Sequence, residues 1–427
     1  MRHDPYQAFR FRNFRLLFLA STLSVVGGLL EGTALGWELY ARTRDPFVLG
    51  NIGLAGFLPV VLLALPAGHA ADRFDRKRIV VISRLFEVVG ALGLAYLSWT
   101  QGALWLIYGC VFLASAARAF GGPAAAAFLP HSVPAAVFSN ATTWLTASFQ
   151  VAGMIAPAIG GFAIAWLPKI IVVEGPVNVG ATLAYGFAAL LSVIIAIAYS
   201  RLTIATRERS ADAVNWRGVV AGVRFVFRER LVLSAITLDL FAVLFGGAVA
   251  LLPVFASDVL HVGAEGFGWL RAAPAVGATL MALVLTRRPP MQQAGKTLLW
   301  VVVGFGVATI IFGLSRNFWL SLLALALVGA FDNVSMVIRG VLVPLRTPDS
   351  MRGRVSAVER VFISSSNELG AWESGVTAAA FGPVGAVVGG GIGTLIVVGF
   401  VMIVFPQLRH VGTLHDLPPA TDQSGTV

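Results

Sequence analysis

Long apolar runs alternate with short polar ones along the whole chain. The runs cover 14–38, 48–67, 79–99, 103–124, 142–167 and 177–199, and then, beyond a polar stretch, 231–256, 266–286, 297–315, 318–342, 356–380 and 384–405. Each approaches or exceeds the roughly 20 residues that an α-helix needs to cross a hydrocarbon core of about 30 Å. Backbone in lipid must satisfy its own N–H and C=O groups, so runs of this length predict transmembrane helices. The expected fold is an all-α membrane protein with twelve transmembrane helices in two pseudo-symmetric six-helix bundles, 1–200 and 231–406. A central cytoplasmic linker, 201–230, joins them, and 407–427, with Pro418, Pro419 and a Thr-Asp-Gln-Ser-Gly run, reads as a disordered cytoplasmic tail.

Weak internal matches accompany the six-plus-six division. Asn140, Ala141, Gln150 and Gly153 of the fifth run align with Ser356, Ala357, Asn367 and Gly370 of the eleventh, as an internal duplication would leave them. Within the linker, 216–227 mixes Arg with Val and Phe as an interfacial amphipathic helix does.

Composition agrees with lipid as the solvent: 57% of the 427 residues are hydrophobic and only 12% charged, too few to cover a water-soluble surface. The formal charge of +10 points away from nucleic acid, because the basic residues fall between the apolar runs, where they set topology. Arg2, Arg10, Arg12, Arg15, Arg73, Arg76, Lys77, Arg78, Arg201 to Arg230, Arg287, Arg288, Lys296, Arg346, Arg352, Arg354 and Arg409 occupy every second connection. Both termini are therefore expected in the cytoplasm, with an even number of spans. The first run is too long for a signal-peptide core and reads as a retained helix. Cys110 is the only cysteine, the histidines lack metal spacing and no Walker loop is present, so the chain is expected to be no enzyme and to need no metal or other cofactor.

Several segments carry a resemblance. The second connection reads Gly68, His69, Ala70, Ala71, Asp72, Arg73, Phe74, Asp75, Arg76, Lys77, Arg78, similar to the G-x-L-A-D-R-x-G-R-K signature of the major facilitator superfamily. Ala70 and Asp75 replace the usual leucine and second glycine. Gly68 would permit close helix approach, Asp72 would cap or pair at a helix end, and Arg73, Arg76 and Lys77 would latch a cytoplasmic gate, although a basic loop obeying the topology rule is the plainer reading. Arg118 followed by Gly121, Gly122, Ala124 and Ala125 resembles the family's intramembrane arginine motif, and Gly153, Pro157, Gly160 and Gly161 resemble its antiporter motif. The segments 251–256, 271–277, 352–358 and 366–370 are similar to the drug and siderophore exporter branch. The resemblance implies alternating access and export driven by a proton gradient.

Ionisable groups inside the apolar runs are the candidate chemistry, because each costs a few kcal/mol at mid-membrane unless paired or wetted. Glu31, Asp239, Asp332 and Glu368 are candidate proton carriers or ligands for a cationic substrate, with Arg118 as their modulator. A static structural pair is an equal alternative for each. Arg339, Arg352, Arg354 and Glu359 lie toward the cytoplasmic end and read as gate pairs, Arg84 and Glu87 as an i to i+3 pair, and Glu38 and Glu373 as solvated outer groups.

The expected function is proton-coupled efflux of a small amphiphilic molecule, a drug or siderophore, by a monomer in a bacterial plasma membrane. Its partners are the small-molecule substrate, protons and the lipid bilayer. The alternatives are an importer of a small metabolite and a transporter-like receptor that binds its ligand without moving it.

Overall fold

The computed structural model describes residues 4–173, 177–203, 216–289, 291–349 and 351–413. The first six spans are Arg12–Thr43, Pro46–Arg73, Arg76–Trp99, Leu104–Ala126, Phe138–Ile170 and Val179–Ser200. The seventh starts as the regular helix Arg230–Phe245 and continues through a 3-10 turn, Gly247–Leu251, to a π turn, Phe255–Val259. The eighth to tenth are Gly263–Thr286, Ala294–Leu314 and Phe318–Leu345.

The last two spans form one continuous helical trace, Arg352–Val404, broken at Gly382 by φ of 76° and ψ of 161°. That combination of positive φ with extended ψ suits a residue without Cβ, and Pro383 behind it supplies no N–H to a continuing ladder. The break falls in the gap between the two predicted runs, so the apolar helices among the described residues number twelve. The outside of these helices is as apolar as their length demands, with Trp105, Leu314, Trp300, Trp319, Phe381 and Ile403 left uncovered by protein.

Contacts divide the chain into two compact units. Unit 1 is Met1–Arg44, Leu54–Val214 and His261–Ala272; unit 2 is Asp45–Gly53, Asn215–Leu260 and Ala273–Val427. In unit 1, Leu17, Val80, Phe128, Ile195 and Tyr199 form one buried cluster. Residues ahead of the first span are tied to the fifth: Ala8 N–H donates to Asn140 Oδ1 at 3.1 Å, and Asn140 and Trp144 both donate to the Pro5 carbonyl at 2.9 Å.

Unit 2 has its own core of Leu238, Leu298, Val302, Ile338, Leu342 and Val401. The amphipathic linker segment is the helix Trp216–Arg228. Rather than resting only at a lipid interface, it buries Val226 against Val232, Val343, Val355 and Val358. The expected tail is also partly structured. Pro406–His410 forms a 3-10 turn with Leu408 fully buried, and the Val411 and Gly412 carbonyls accept from the Gly295 and Ala294 N–H groups at 3.1 and 3.0 Å. Those two donors belong to the first turn of the ninth span and have no partner within their own helix.

Glycines hold two helix crossings at close approach. Within unit 1, a Cβ on Gly161 would lie 2.6 Å from the Gly268 Cα and 2.7 Å from the Ala264 carbonyl, and one on Gly268 would lie 2.8 Å from the Pro157 carbonyl. Within unit 2, a Cβ on Gly50 would lie 3.0 Å from the Gly375 Cα. Spans five and eight, and spans two and eleven, thus approach backbone to backbone, the packing that small residues allow where lipid offers no hydrophobic drive.

Gly268→Leu should force spans five and eight apart and destabilise the protein by about 1–3 kcal/mol or more, read as a lower midpoint of thermal unfolding in detergent. Gly122→Ala, where a Cβ meets nothing within 4 Å, should leave the midpoint unchanged or raise it.

Candidate functional site

In unit 2 the seventh and tenth spans bring two opposite charges together. Asp239 Oδ1 lies 2.7 Å from Arg339 Nη2, and both side chains are less than a tenth exposed. Asp332, Ser335 and Arg339 follow one another at i, i+3 and i+7, so they share one face of the tenth span. Arg339 Nε donates to Ser335 Oγ at 3.3 Å. A cavity of about 10 Å³, the room needed by about one water, is lined by Asp239, Asp332, Ser335, Phe305 and Phe331. Arg339, Asp332 and Glu359 are the charged groups whose fields act on Asp239. The sequence reading made Arg339 a cytoplasmic gate residue and Arg118 the counter-charge. Arg339 instead pairs with Asp239, which sequence separation hides.

Unit 1 holds its own charges. Arg84 and Glu87 pair at 2.7 Å, as their i to i+3 spacing predicts. Arg118 Nη2 donates to Ser115 Oγ at 3.0 Å, and its charge, with that of Glu87, bears on Glu31. Glu38 departs from expectation: it is not a solvated outer group but 1% exposed. Arg42, one turn on, forms an ion pair with it, and Tyr185 Oη of the sixth span donates to it at 2.8 Å. Arg42 also donates to the carbonyls of Leu97, Ser98 and Gly102, which binds the connection between spans three and four to the end of span one. The Glu38-x-x-x-Arg42 spacing was a usable signal; Tyr185, distant in sequence, gave none. Glu373 is half-buried.

The signature segment is mostly helical. Gly68 and Asp72 lie within the second span, which runs to Arg73, and the side chain of Asp72 lies outside the described residues. The cap is Asp75, the residue that replaces the second signature glycine: its carboxylate accepts from the Arg78 N–H at 3.0 Å and starts the third span. Lys77 Nζ donates to the Leu202 carbonyl at 3.0 Å, beyond the end of span six, while Arg73 is exposed and Arg76 sits in the first turn of span three. Of the antiporter-like residues, Pro157, Gly160 and Gly161 are buried and Gly153 is half-buried. A Cβ on Gly160 would come 3.2 Å from Thr33 of the first span.

Glu368 is half-buried on the eleventh span, and its backbone carbonyl lies 2.5 Å from where a Cβ on Gly53 would be. Between the tenth and eleventh spans, Arg352 pairs with Asp349 at 2.6 Å, and Arg354 contacts Met351 Sδ at 3.5 Å. The better buried pair there, Arg346 with Glu229 at 2.7 Å, was not foreseen. Among the described residues no cluster of His, Cys, Asp and Glu could hold a metal ion.

Residues 3–420 match the sequence profile of the transmembrane secretion effector family, MFS_3. The chain belongs to this major facilitator family of transporters. Enterobactin exporter EntS of Escherichia coli (strain K12) is 25% identical over 399 residues, 93% of this chain and 92% of that one. EntS of Escherichia coli O6:K15:H31 is 25% identical over 415 residues, 97% and 96% of the two chains. Among solved structures, a bacterial homolog of the human lysosomal transporter Spinster, inward-facing and occupied, superposes with a TM-score of 0.73 over 95% of this chain and 99% of that one at 14% identity. A POT family transporter in complex with a thioalcohol-conjugated peptide gives 0.72, covering 93% and 96%, at 11% identity. These structures share the major facilitator fold, and the chain is a multi-pass membrane transporter, not an enzyme.

Replacing Tyr185 by Phe removes one hydrogen bond to a buried carboxylate and should cost about 1.5–3 kcal/mol. Arg42→Ala leaves Glu38 buried without its counter-charge and should cost more, about 3–5 kcal/mol. The two variants should therefore melt in the order wild type, Tyr185→Phe, Arg42→Ala, from highest to lowest midpoint in detergent.

Proposed function

We propose that the protein is a proton-coupled exporter of a small amphiphilic molecule, a drug or siderophore, working by alternating access in a bacterial inner membrane with both termini in the cytoplasm. The observation that carries this reading is the Asp239–Arg339 pair, buried between spans seven and ten with Asp332 beside it and room for about one water. A charge pair of this kind is expensive to desolvate and little gain as a static tie, so its place inside a transporter points to use. Protonation of Asp239 would cancel its hold on Arg339 and leave the guanidinium to Asp332 on its own helix. That exchange weakens the link between two spans by taking up one proton, the differential interaction a two-state carrier requires.

Glu31 and Glu368 remain further candidate carriers, with Arg118 acting on Glu31. The direction is supported by the family description, a secretion effector, and by relatives that carry the name of an exporter. A monomer suffices for this scheme, since each unit supplies its own charged cluster.

The test is flux in proteoliposomes with an imposed pH gradient and a panel of dyes, macrolides and catecholate siderophores. Substrate-dependent dissipation of the gradient is the expected result. Asp239→Asn should lose gradient-driven flux while keeping gradient-free exchange of the same substrate across the membrane. Gradient-driven flux unchanged in both Asp239→Asn and Glu368→Gln would remove these residues from coupling, and binding without flux would leave a receptor.

A further inference from the structure

Among the described residues, Arg271 of the eighth span is a cation without a counter-charge. It sits eight residues beyond Gly263, about 12 Å along the helix axis from the start of the span, at a depth where an unpaired charge is costly. Its guanidinium carbon lies 6.0 Å from the centre of the Phe267 ring, and the guanidinium makes no hydrogen bond or ion pair among the described residues. The carboxylates that might serve it in unit 1 are engaged elsewhere: Glu38 by Arg42 and Tyr185, Glu87 by Arg84, Glu265 by the Trp166 indole N–H at 3.3 Å, and Glu31 in the field of Arg118.

The first span makes room for this group. A Cβ on Gly32 would come 3.1 Å from Arg271 Nη2, so the absence of a side chain there lets the guanidinium lie against the helix. The arginine is only half-buried, as is Trp37, which stacks on the fully buried Phe267 with ring centres 5.8 Å apart. A half-buried cation is thus set over an aromatic floor, with donors that no acceptor among the described residues uses.

We propose that Arg271, with Phe267 and Trp37, is the substrate-recognition site of unit 1, and that it takes a small organic anion with an aromatic body, a carboxylate or sulfonate. Planar N–H donors match a carboxylate in pairs, and the rings bury the apolar part. This deepens the export reading and rests on it for the statement that the bound molecule is cargo; it narrows amphiphilic substrates to anionic ones.

The test is calorimetric titration of the full-length protein in lipid nanodiscs with three probes of one shape: 1-naphthoate, 1-naphthamide and 1-naphthylmethylammonium. Wild type should bind naphthoate at least about tenfold tighter than the amide, the worth of a hydrogen bond to a charged group. Arg271→Gln should erase that preference and Arg271→Lys should keep part of it, both with melting points near wild type. Gly32→Val, which retains the arginine but crowds its guanidinium, should also weaken naphthoate binding, and it decides the matter should the Gln variant fail to fold. Equal or tighter binding of the amide or the ammonium by wild type, no binding of any probe, or a naphthoate preference unchanged in the variants would overturn the inference. Naphthoate binding without proton-driven flux would instead fail the export reading alone, and gradient-driven flux of neutral or cationic substrates only would fail this inference alone.

Discussion

Everything in this molecule answers to one constraint: a charge carried into a medium of hydrocarbon must find an opposite charge, water or a ligand. On insertion scales a single aspartate or arginine at the centre of a span costs about 2.5–3.5 kcal/mol. The chain carries such groups on most of its helices, and the structure accounts for them by partner. Asp239 faces Arg339, Glu87 faces Arg84, and Glu38 faces Arg42 and Tyr185. Arg271 is left over from that pairing among the described residues, and the proposed anion site is built on it.

The pairs differ in what they do mechanically. Glu38 with Arg42 lies within one helix and reaches three backbone carbonyls at the end of span three and the connection after it, so it fastens one corner of unit 1 without needing to change. Asp239 with Arg339 joins two different spans and has a second acid, Asp332, on the face that carries the arginine. That second acid is the feature on which the proposed proton coupling rests. The cost of desolvation makes such a pair a poor fastener.

Packing answers to the same solvent. Lipid tails are as apolar as leucine, so helices gain little by hiding apolar side chains from them and gain instead by close approach. The glycines at 161 and 268, and at 50 and 375, bring backbones within the radius of a single methyl group. The Gly161 crossing falls inside the segment that resembles an antiporter motif, which gives those small residues a physical task in unit 1 whatever the cargo.

The hydrophobic pattern alone determined the number of spans, their approximate bounds and the all-helical class, because span length is a property of the bilayer and is written residue by residue. It also marked which charges lie inside apolar runs, and spacing along one helix was enough to pair Arg84 with Glu87. What it could not disclose is any partnership across helices: Asp239 with Arg339, Tyr185 with Glu38, the docking of 406–413 on the ninth span, and the lack of a counter-charge for Arg271 among the described residues. Asp75 illustrates the limit in miniature: along the sequence it is a departure from a family signature, and only the folded turn makes it the cap of the third span. Periodicity carries information about a helix and its solvent. Which helix faces which is decided by side-chain volumes and charges summed over the whole bundle, and that sum exists only in three dimensions.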